Sequence, residues 1–313
     1  MNERIESLLN GDIDPVSDAR LLRRRGRTFQ MASHLLGPRH RSRATRLYGF
    51  CRAIDDLADD SDNLRRSRER LDRVSEDIAP GTGSTTLGRK FLDLARDTGM
   101  PASPALHLIA GIRSDLEQRV IHSERELVRY AYQVAGTVGL MMCSVLDVTN
   151  RQALPFAIGL GIAMQLSNIA RDVGEDAGMG RRHLPGGWVD NMPAPAIANP
   201  DTRCQETLRH ATVKCLFLTD RYYCSGLSGL RYLPVPARQA ILVAACVYRE
   251  IGNEIAPQGH RSWNQRAIVP GWRRIRVAAG ALCGRRYVPY DRVDDLEHDT
   301  TLQRHIADLS GAS

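Results

Sequence analysis

The sequence contains few aromatic residues and almost no lysine. Aromatic residues make up 5% of its 313 residues, and Lys90 and Lys214 are the only lysines, so the net charge of +7 comes from arginine. Basic proteins of this kind attract phosphate-bearing ligands, anionic lipid surfaces or nucleic acid. Because the arginines are not interleaved with aromatic residues on one helical face, we expect phosphorylated small molecules or a membrane surface, and no nucleic-acid partner.

The sequence also lacks the signals of membrane insertion and secretion. No apolar run reaches the roughly 18 residues of a spanning helix, and the first residues, MNERIESLLNGDID, carry acids where a signal peptide has an apolar core. The seven cysteines are odd in number and include no Cys-x-x-Cys pair, which argues against structural zinc or a disulfide framework. We therefore expect a cytoplasmic protein, at most peripherally associated with a membrane, and no obligate protein partner.

Apolar residues recur with helical spacing along most of the chain, and no alternating strands separated by tight turns are found. The Pro- and Gly-rich breaks between the predicted helices do not resemble a flexible interdomain linker. The sequence therefore predicts a single all-α domain over residues 1–313, in which about 286–313 form a charged, mobile tail. The predicted helices span 16–36, 39–62, 64–77, 86–97, 103–120, 124–147, 151–177, 201–227, 234–256 and 270–284.

A polar stripe follows small apolar residues in the segment 161–185, GIAMQLSNIARDVGEDAGMGRRHLP. On a helix, Asn168, Asp172 and Asp176 stand four residues apart on one face, and Gln165 joins that face from one turn earlier. When acidic residues follow small apolar residues along one helix, they are typical of the polar mouth of an apolar cavity.

A second acidic segment, LYGFCRAIDDLADD, covers 47–60. On a helix, Asp55 and Asp59 are neighbours four residues apart, with Arg52 one turn before them and Tyr48 one turn before Arg52. Stacked carboxylates repel each other, and a divalent cation such as Mg²⁺, which prefers hard oxygen ligands, would offset that repulsion. Many surface helices carry such a pair, so this segment alone is weak evidence.

The two acidic segments together give stronger evidence for a cation site than either segment alone. If their helices face each other across a bundle, four carboxylates surround one site, which requires cations. Mg²⁺ held by carboxylates completes its shell with substrate phosphates, and Arg52 and Arg171 supply the fork-shaped donors that suit a diphosphate. The sequence therefore predicts a Mg²⁺–diphosphate site above an apolar pocket.

Other candidates have an ordinary structural alternative. Thr28, beside Phe29 in an arginine-rich stretch, either caps a helix start or contacts a phosphate. The small residues of 130–146 allow either tight helix packing or close approach of a ligand. Tyr248 and Arg266 are candidates for the same site, although core or surface roles explain them equally simply.

Together these segments resemble the squalene/phytoene synthase family, the head-to-head prenyl synthases, from about Arg25 to about Tyr287. The resemblance rests on 48–59, YGFCRAIDDLAD, and 165–176, QLSNIARDVGED, with 180–181, 184–185, 134–139 and 27–29 in support. The second signature is most similar to that of bacterial 15-cis-phytoene synthases of carotenoid pathways. The resemblance implies a class I isoprenoid-synthase helical bundle with a central cavity. It also implies condensation of two geranylgeranyl diphosphates, through prephytoene diphosphate, to phytoene and diphosphate.

The family resemblance also implies roles for individual residues and a cofactor. Mg²⁺, with Mn²⁺ as a substitute, is expected as the cofactor, and NADPH is not. The expected metal ligands are Asp55, Asp59, Asn168, Asp172 and Asp176. The expected catalytic residues are the four aspartates with Arg52 and Tyr48. The expected substrate-binding residues are Thr28, Phe29, Tyr130, Ala135, Val138, Gly161, Gln165, Asn168, Arg171, Tyr248 and Arg266. His183 departs from the tyrosine usual in the family, and we do not expect it to affect the chemistry.

Two alternatives remain at this stage. A squalene or dehydrosqualene synthase would use farnesyl diphosphate, and chain-length choice depends on a cavity depth that residue spacing does not give. A non-catalytic relative acting as an assembly factor is a less favoured alternative, because all four aspartates are present.

Overall fold

The computed structural model describes residues 27–58, 64–283 and 298–309. Within these ranges the regular secondary structure is helical, apart from an isolated bridge between Val120 and Arg182. This confirms the predicted all-α class. The α-helices are α1 (Arg27–Ser33), α2 (Pro38–Ala58), α3 (Leu64–Ile78), α4 (Thr86–Thr98), α5 (Ser103–Asp115), α6 (Glu124–Ala131), α7 (Thr137–Val145), α8 (Leu154–Arg171), α9 (Val173–Gly178), α10 (Ala194–Ala198), α11 (Thr202–Leu227), α12 (Val235–Ile255) and α13 (Gly271–Leu282).

Local chemistry sets several of the helix ends. Thr85 begins α4 by accepting a hydrogen bond from the Gly88 amide, and Gly99 ends that helix in the left-handed conformation at φ 67°. Asp201 begins α11 by accepting a hydrogen bond from the Cys204 amide at 2.7 Å. Such caps explain why the sequence-predicted bounds of these helices agree with the structure to within a residue or so.

Two predicted helices are interrupted in the structure. The helix predicted over 124–147 contains a π-helical turn, Tyr132–Gly136, between α6 and α7. The helix predicted over 151–177 ends at Arg171, and α9 follows it after Asp172. The first part of the predicted helix 16–36 lies outside the described residues.

Helix α8 runs through the middle of the bundle and packs against α7, α11 and α12. A Cβ atom on Gly161 would overlap the carbonyl oxygen of Ala135, and one on Gly139 would overlap that of Ala157. The glycines therefore allow the helices to approach closely. For the small residues of 130–146, this agrees with tight helix packing, one of the two roles considered from the sequence. The segment Arg151–Arg171 is long and apolar enough to span a membrane by length and composition, but most of it is buried inside the bundle.

Two hydrophobic clusters form the core. One gathers side chains from α2 to α5 and α7, and the other from α6, α8, α11, α12 and α13. An apolar cavity is lined by both, with Leu47 and Leu146 from the first cluster and Leu160 and Leu230 from the second. The cavity therefore lies between the two halves of the core.

The described C-terminal residues, 298–309, pack against the bundle. Leu302 and Ile306 are buried, and the Tyr222 hydroxyl donates to the Leu302 carbonyl oxygen at 2.9 Å. Arg129 donates to Asp308 at 2.7 Å. These contacts concern residues 298–309; the mobility of the tail predicted over about 286–313 stays a prediction.

Candidate active site

The cavity has a volume of about 290 Å³ and a mostly apolar wall. Eight of the predicted site residues line it: Phe29, Tyr48, Ala135, Val138, Gly161, Gln165, Asn168 and Tyr248. Their hydroxyl and amide groups are the main polar groups of the lining, which includes no carboxylate or guanidinium among the described residues. The rings of Phe29 and Tyr48 stack with their centroids 5.2 Å apart.

Part of the lining was missed by the sequence analysis. A Cβ atom on Gly229 would overlap the side chain of Phe156. The centroid of the Phe156 ring also lies 4.4 Å from the centroid of the His298 ring. The available signal in this region was Gly226, near the end of α11, because glycine costs helix stability; a Cβ atom there would overlap Leu160. Gly139, one of the small residues of 130–146 considered for ligand approach, also lines the cavity. The missed residues are Leu47, Cys51, Met142, Cys143, Leu146, Ala153, Phe156, Ala157, Leu160, Met164, Gly226, Gly229, Leu230, Leu233, Ile241 and Ala244.

Asp172 lies between two arginines beyond the polar side of the cavity. Arg171 donates to both carboxylate oxygens, at 2.7 and 2.5 Å, and Arg266 donates to Oδ1 at 2.8 Å. Burial lowers the pKa of Arg171, but the hydrogen bonds to Asp172 together with the charges of Asp172 and Glu175 outweigh burial and raise it. Arg266 also pairs with Glu175 at 3.2 Å. The structure thus brings together Arg171, Asp172 and Arg266, three residues that the family resemblance implies for the site.

The chain bends at Asp172, so the predicted single helical stripe needs correction. Asp172 has φ −101° and ψ 17°, and the Gly174 amide donates to Ser262 O instead of continuing α8. A Cβ atom on Gly174 would come within 2.5 Å of Trp263 O, so a glycine is needed where the segment after α12 crosses the chain. That crossing segment brings Arg266 to Asp172. The Asp176 amide still donates to Asp172 O, at 2.8 Å, which preserves the four-residue spacing.

The first acidic segment lies at the end of α2. Arg52 pairs with Asp56 at 2.6 Å and more distantly with Asp55 at 3.8 Å. Asp56 was not among the predicted site residues, although it carries the closer contact. Asp59 lies outside the described residues, so its predicted role remains a prediction.

Asp176 belongs to a buried polar cluster that the sequence analysis did not anticipate. His183 Nδ1 lies 2.8 Å from Asp176 Oδ2, and its ring stacks on Tyr130 with centroids 4.9 Å apart. The Tyr130 hydroxyl donates to Asp115 at 2.7 Å, and the Arg119 guanidinium lies over the Tyr130 ring.

The charge of His183 follows from this setting. Burial by itself lowers the pKa of His183, but the carboxylates of Asp115 and Asp176 outweigh burial and raise it to about 9. The imidazole is therefore protonated at neutral pH and touches an expected metal ligand. Tyr130 belongs to this cluster and does not line the described cavity. Thr28, another predicted substrate-binding residue, does not line it either.

The residues present fit a divalent cation by their chemistry. Asp55, Asp172, Asp176 and the amide oxygen of Asn168 are hard oxygen donors of the type that Mg²⁺ and Mn²⁺ take. In the part of the chain that the structure describes, no three His, Cys, Asp or Glu side chains form a ready metal cluster. The charges of Asp172 and Asp176 are instead balanced by Arg171, Arg266 and His183.

Comparison with known proteins identifies the family of the chain. The family model for squalene/phytoene synthase matches residues 22–273. Phytoene synthase of Rhodobacter capsulatus is 34% identical over 266 residues, 83% of this chain and 78% of the relative. 15-cis-Phytoene synthase of Enterobacter agglomerans is 32% identical over 255 residues, 77% of this chain and 85% of the relative.

Solved structures give the same fold. A dehydrosqualene synthase in complex with a ligand superposes with a TM-score of 0.76 at 26% identity, covering 86% of this chain and 95% of its own. A squalene synthase from Alicyclobacillus acidocaldarius superposes with a TM-score of 0.68 at 18% identity, covering 79% and 94%, which speaks for the fold alone. The helical architecture, the cavity and these matches agree, and the chain belongs to the squalene/phytoene synthase family of prenyltransferases.

Proposed function

We propose that this protein condenses two molecules of geranylgeranyl diphosphate head to head, through prephytoene diphosphate, to phytoene, with release of diphosphate. The observation that carries the proposal is the apolar cavity between the two core clusters, with arginines and acids gathered beyond its polar side. The phytoene synthases that the chain matches at 34% and 32% identity support this product over the alternatives.

Arginines supply the proposed anion contacts. Arg171 and Arg266 share the single carboxylate of Asp172, and an entering diphosphate competes for the same fork-shaped donors. Arg52, paired with Asp56 at the end of α2, offers a further guanidinium. Donors fixed where negative charge accumulates stabilise the departing diphosphate and so favour ionisation of the allylic substrate.

The family depends on a divalent metal, and we propose Mg²⁺ in this protein. Asp55, Asp59, Asp172 and Asp176, with Asn168, would hold it, and when bound it would offset the negative charge of the diphosphate. Asp172 and Asp176 would exchange part of their contacts with Arg171, Arg266 and His183 for the cation.

The cavity wall suits a carbocation reaction. An allylic cation reacts with any accessible nucleophile, so the reacting carbons need a dry, unreactive surrounding. Two thiols, Cys51 and Cys143, line the cavity, and burial raises the pKa of both, that of Cys143 to about 12. They therefore stay protonated and are poor nucleophiles. Since no carboxylate or imidazole lines the described cavity, we propose the released diphosphate as proton acceptor.

The proposed function is tested by product analysis. Purified protein is given C15 or C20 prenyl diphosphate with Mg²⁺, with and without NADPH, and the hydrocarbon is identified. We expect a C40 product from the C20 substrate, independent of NADPH. A C30 hydrocarbon as the major product would overturn the proposal in favour of a squalene or dehydrosqualene synthase. No turnover of either substrate would favour a non-catalytic relative.

The same assay includes a residue-level control. Asp172→Asn should lose turnover by roughly 100-fold or more, because it weakens both arginine and metal contacts, while circular dichroism shows an unchanged helical fold. Asp93→Asn removes a carboxylate from the surface of α4, where it pairs with Arg96, and should retain full activity.

A further inference from the structure

An apolar surface runs along the outer side of α13. Trp272, Ile275 and Leu282 are 61%, 66% and 42% exposed, and Ile268, just before the helix, is 74% exposed. Spacing of three and seven residues places the three helical side chains on one face. We name these four residues the α13 face. The opposite side of the helix, with Val277, Ala278 and Ala281, is buried.

Large exposed apolar side chains grouped in this way mark an interaction surface. A scattered leucine or isoleucine on a protein surface needs no explanation. Here an indole and three branched aliphatic side chains occur within fifteen residues, on one helix and its approach.

The charge beside the α13 face is positive. Residues 271–282, GWRRIRVAAGAL, contain three arginines and no acid. Arg273 is anchored on the inner side by Glu250 and Glu254, at 2.5 and 3.0 Å. The Arg276 guanidinium lies 4.8 Å from the centre of the Trp272 ring. The apolar face therefore has arginine at its border.

This combination selects the partner. A helix with tryptophan and aliphatic residues on one face and arginines beside them is typical of interfacial helices that lie on anionic lipid. A second copy of the chain fits less well, because a symmetric pairing would bring Arg274 and Arg276 of both copies together. Nucleic acid would use the arginines but leave the aliphatic side chains without a partner.

The α13 face also lies next to the candidate active site. Arg266, which pairs with Asp172, is two residues before Ile268 and six before Trp272. The crossing segment at Ser262 and Trp263 contacts Gly174 of α9. A membrane bound by this face would therefore lie close to the acids beyond the polar side of the cavity.

We propose that the α13 face docks on the surface of an anionic lipid bilayer and holds the active-site side of the protein against it. The docking surface stands on the exposure and charge of α13 alone. Its use in receiving prenyl substrate or releasing hydrocarbon product rests on the proposed function.

The test is co-sedimentation of the full-length protein with vesicles of phosphatidylcholine and phosphatidylglycerol in equal parts, without substrate. We expect binding that weakens with added salt and on pure phosphatidylcholine. The variant Trp272→Ser/Ile275→Ser should bind roughly tenfold or more weakly, because it removes the apolar insertion. Arg274→Gln/Arg276→Gln should lose most of the preference for the anionic lipid.

A control position lies at the start of α12, far from Glu250 and Glu254, where α13 contacts that helix. Val235 is 55% exposed and is fifteen residues before Glu250, about 22 Å along the helix at 1.5 Å per residue. Val235→Ser should bind vesicles like the unaltered protein. Circular dichroism verifies that each variant is folded.

Three outcomes would overturn the proposal. In the first, Trp272→Ser/Ile275→Ser binds vesicles as tightly as the unaltered protein. In the second, the unaltered protein does not bind the anionic vesicles. In the third, light scattering shows a dimer that this variant dissociates, which would assign the α13 face to a second copy. Because the assay contains no prenyl diphosphate, failure of the proposed function would leave its result unaffected.

Discussion

At the level of single residues, the sequence predicted some contacts of the candidate site and not others. The four-residue spacing of Asn168, Asp172 and Asp176 was enough to predict a polar stripe beside an apolar cavity. The spacing could not show that Arg266, ninety-four residues after Asp172, completes the arginine pair. His183 was also beyond reach, because its contacts with Asp176 and Tyr130 depend on how the chain returns after α9.

His183 offers a prediction at this scale. His183→Phe keeps a ring to stack on Tyr130 but removes the hydrogen bond that orients Asp176. We expect the Mg²⁺ concentration for half-maximal activity to rise by roughly tenfold or more, as is typical when a residue supporting a metal ligand is lost. Mg²⁺ titration of activity measures this. His210→Gln, at an exposed histidine of α11, is the control and should leave the titration unchanged.

A purely structural role for His183 predicts a different result. In that case His183→Phe would lower the melting temperature and leave the Mg²⁺ dependence of the remaining folded enzyme as it was. The titration therefore separates positioning of Asp176 from general support of the fold.

Asp77 gives a prediction about pH. Its buried carboxylate accepts hydrogen bonds from the Thr82 and Thr85 hydroxyls and from the Ser84 and Thr85 amides, between 2.5 and 2.8 Å. Burial alone would raise the pKa of Asp77, but these hydrogen bonds outweigh burial and lower it well below the ordinary value of 3.8. The resulting stability is present above that ordinary pKa and is lost as the pH falls below it.

Asp77→Asn should therefore lower the free energy of unfolding by about 2–3 kcal/mol at pH 7, and by less at pH 3. Urea unfolding at the two pH values measures the difference. An equal loss at both would show that the hydrogen bonds do not depend on the charge of Asp77.

At the scale of the helices, the sequence predicted where most elements lie but not where they are interrupted. Asp172 and Asp176 keep their four-residue spacing across the break after α8. The helical periodicity of the sequence therefore does not reveal the break. Its cause is the backbone at Ser262 and Trp263, which approaches Gly174 from a distant part of the chain. A tertiary contact of this kind leaves no local pattern apart from the glycine.

The close contact of α8 with the preceding π-helical turn leads to a prediction about Gly161. A methyl group there would overlap the backbone of Ala135 and Gly136, which cannot turn away as a side chain does. Gly161→Ala should therefore destabilise the protein by roughly 1–3 kcal/mol and reduce activity, because Gly161 also lines the cavity. Thermal unfolding and the product assay measure the two effects.

Gly178, in α9, is the matched position. A Cβ atom there meets nothing within 4 Å, so Gly178→Ala should leave stability unchanged or raise it slightly. If Gly161→Ala were equally harmless, the helices would have to move apart more easily than their packing indicates.

At the scale of the whole molecule, the cavity depends on parts of the chain that are far apart in sequence. The sequence predicted an apolar pocket behind the acids because small residues precede them in α8. It did not predict that Phe156 of the cavity wall packs against both Gly229 and His298, which is not itself part of the lining. That arrangement depends on the C-terminal residues returning to the start of α8, where Gln303 donates to Pro155 O at 3.2 Å.

The buried side chains of the returning segment should contribute strongly to stability. Leu302 and Ile306 are buried in the core cluster that includes Tyr222. Polar contacts of Asp299, Gln303 and Asp308 also hold the segment on the bundle. Leu302→Ala/Ile306→Ala should lower the free energy of unfolding by roughly 4 kcal/mol or more, since each truncation leaves a cavity. Thr300→Ala, at an exposed position of the same segment, should change it by less than about 0.5 kcal/mol. Urea unfolding compares the two, and an equal, small effect would mean that the segment rests on the bundle without supporting it. If it does support the bundle, the double variant should also lose activity at temperatures where it is still folded, because His298 no longer holds Phe156 at the cavity wall.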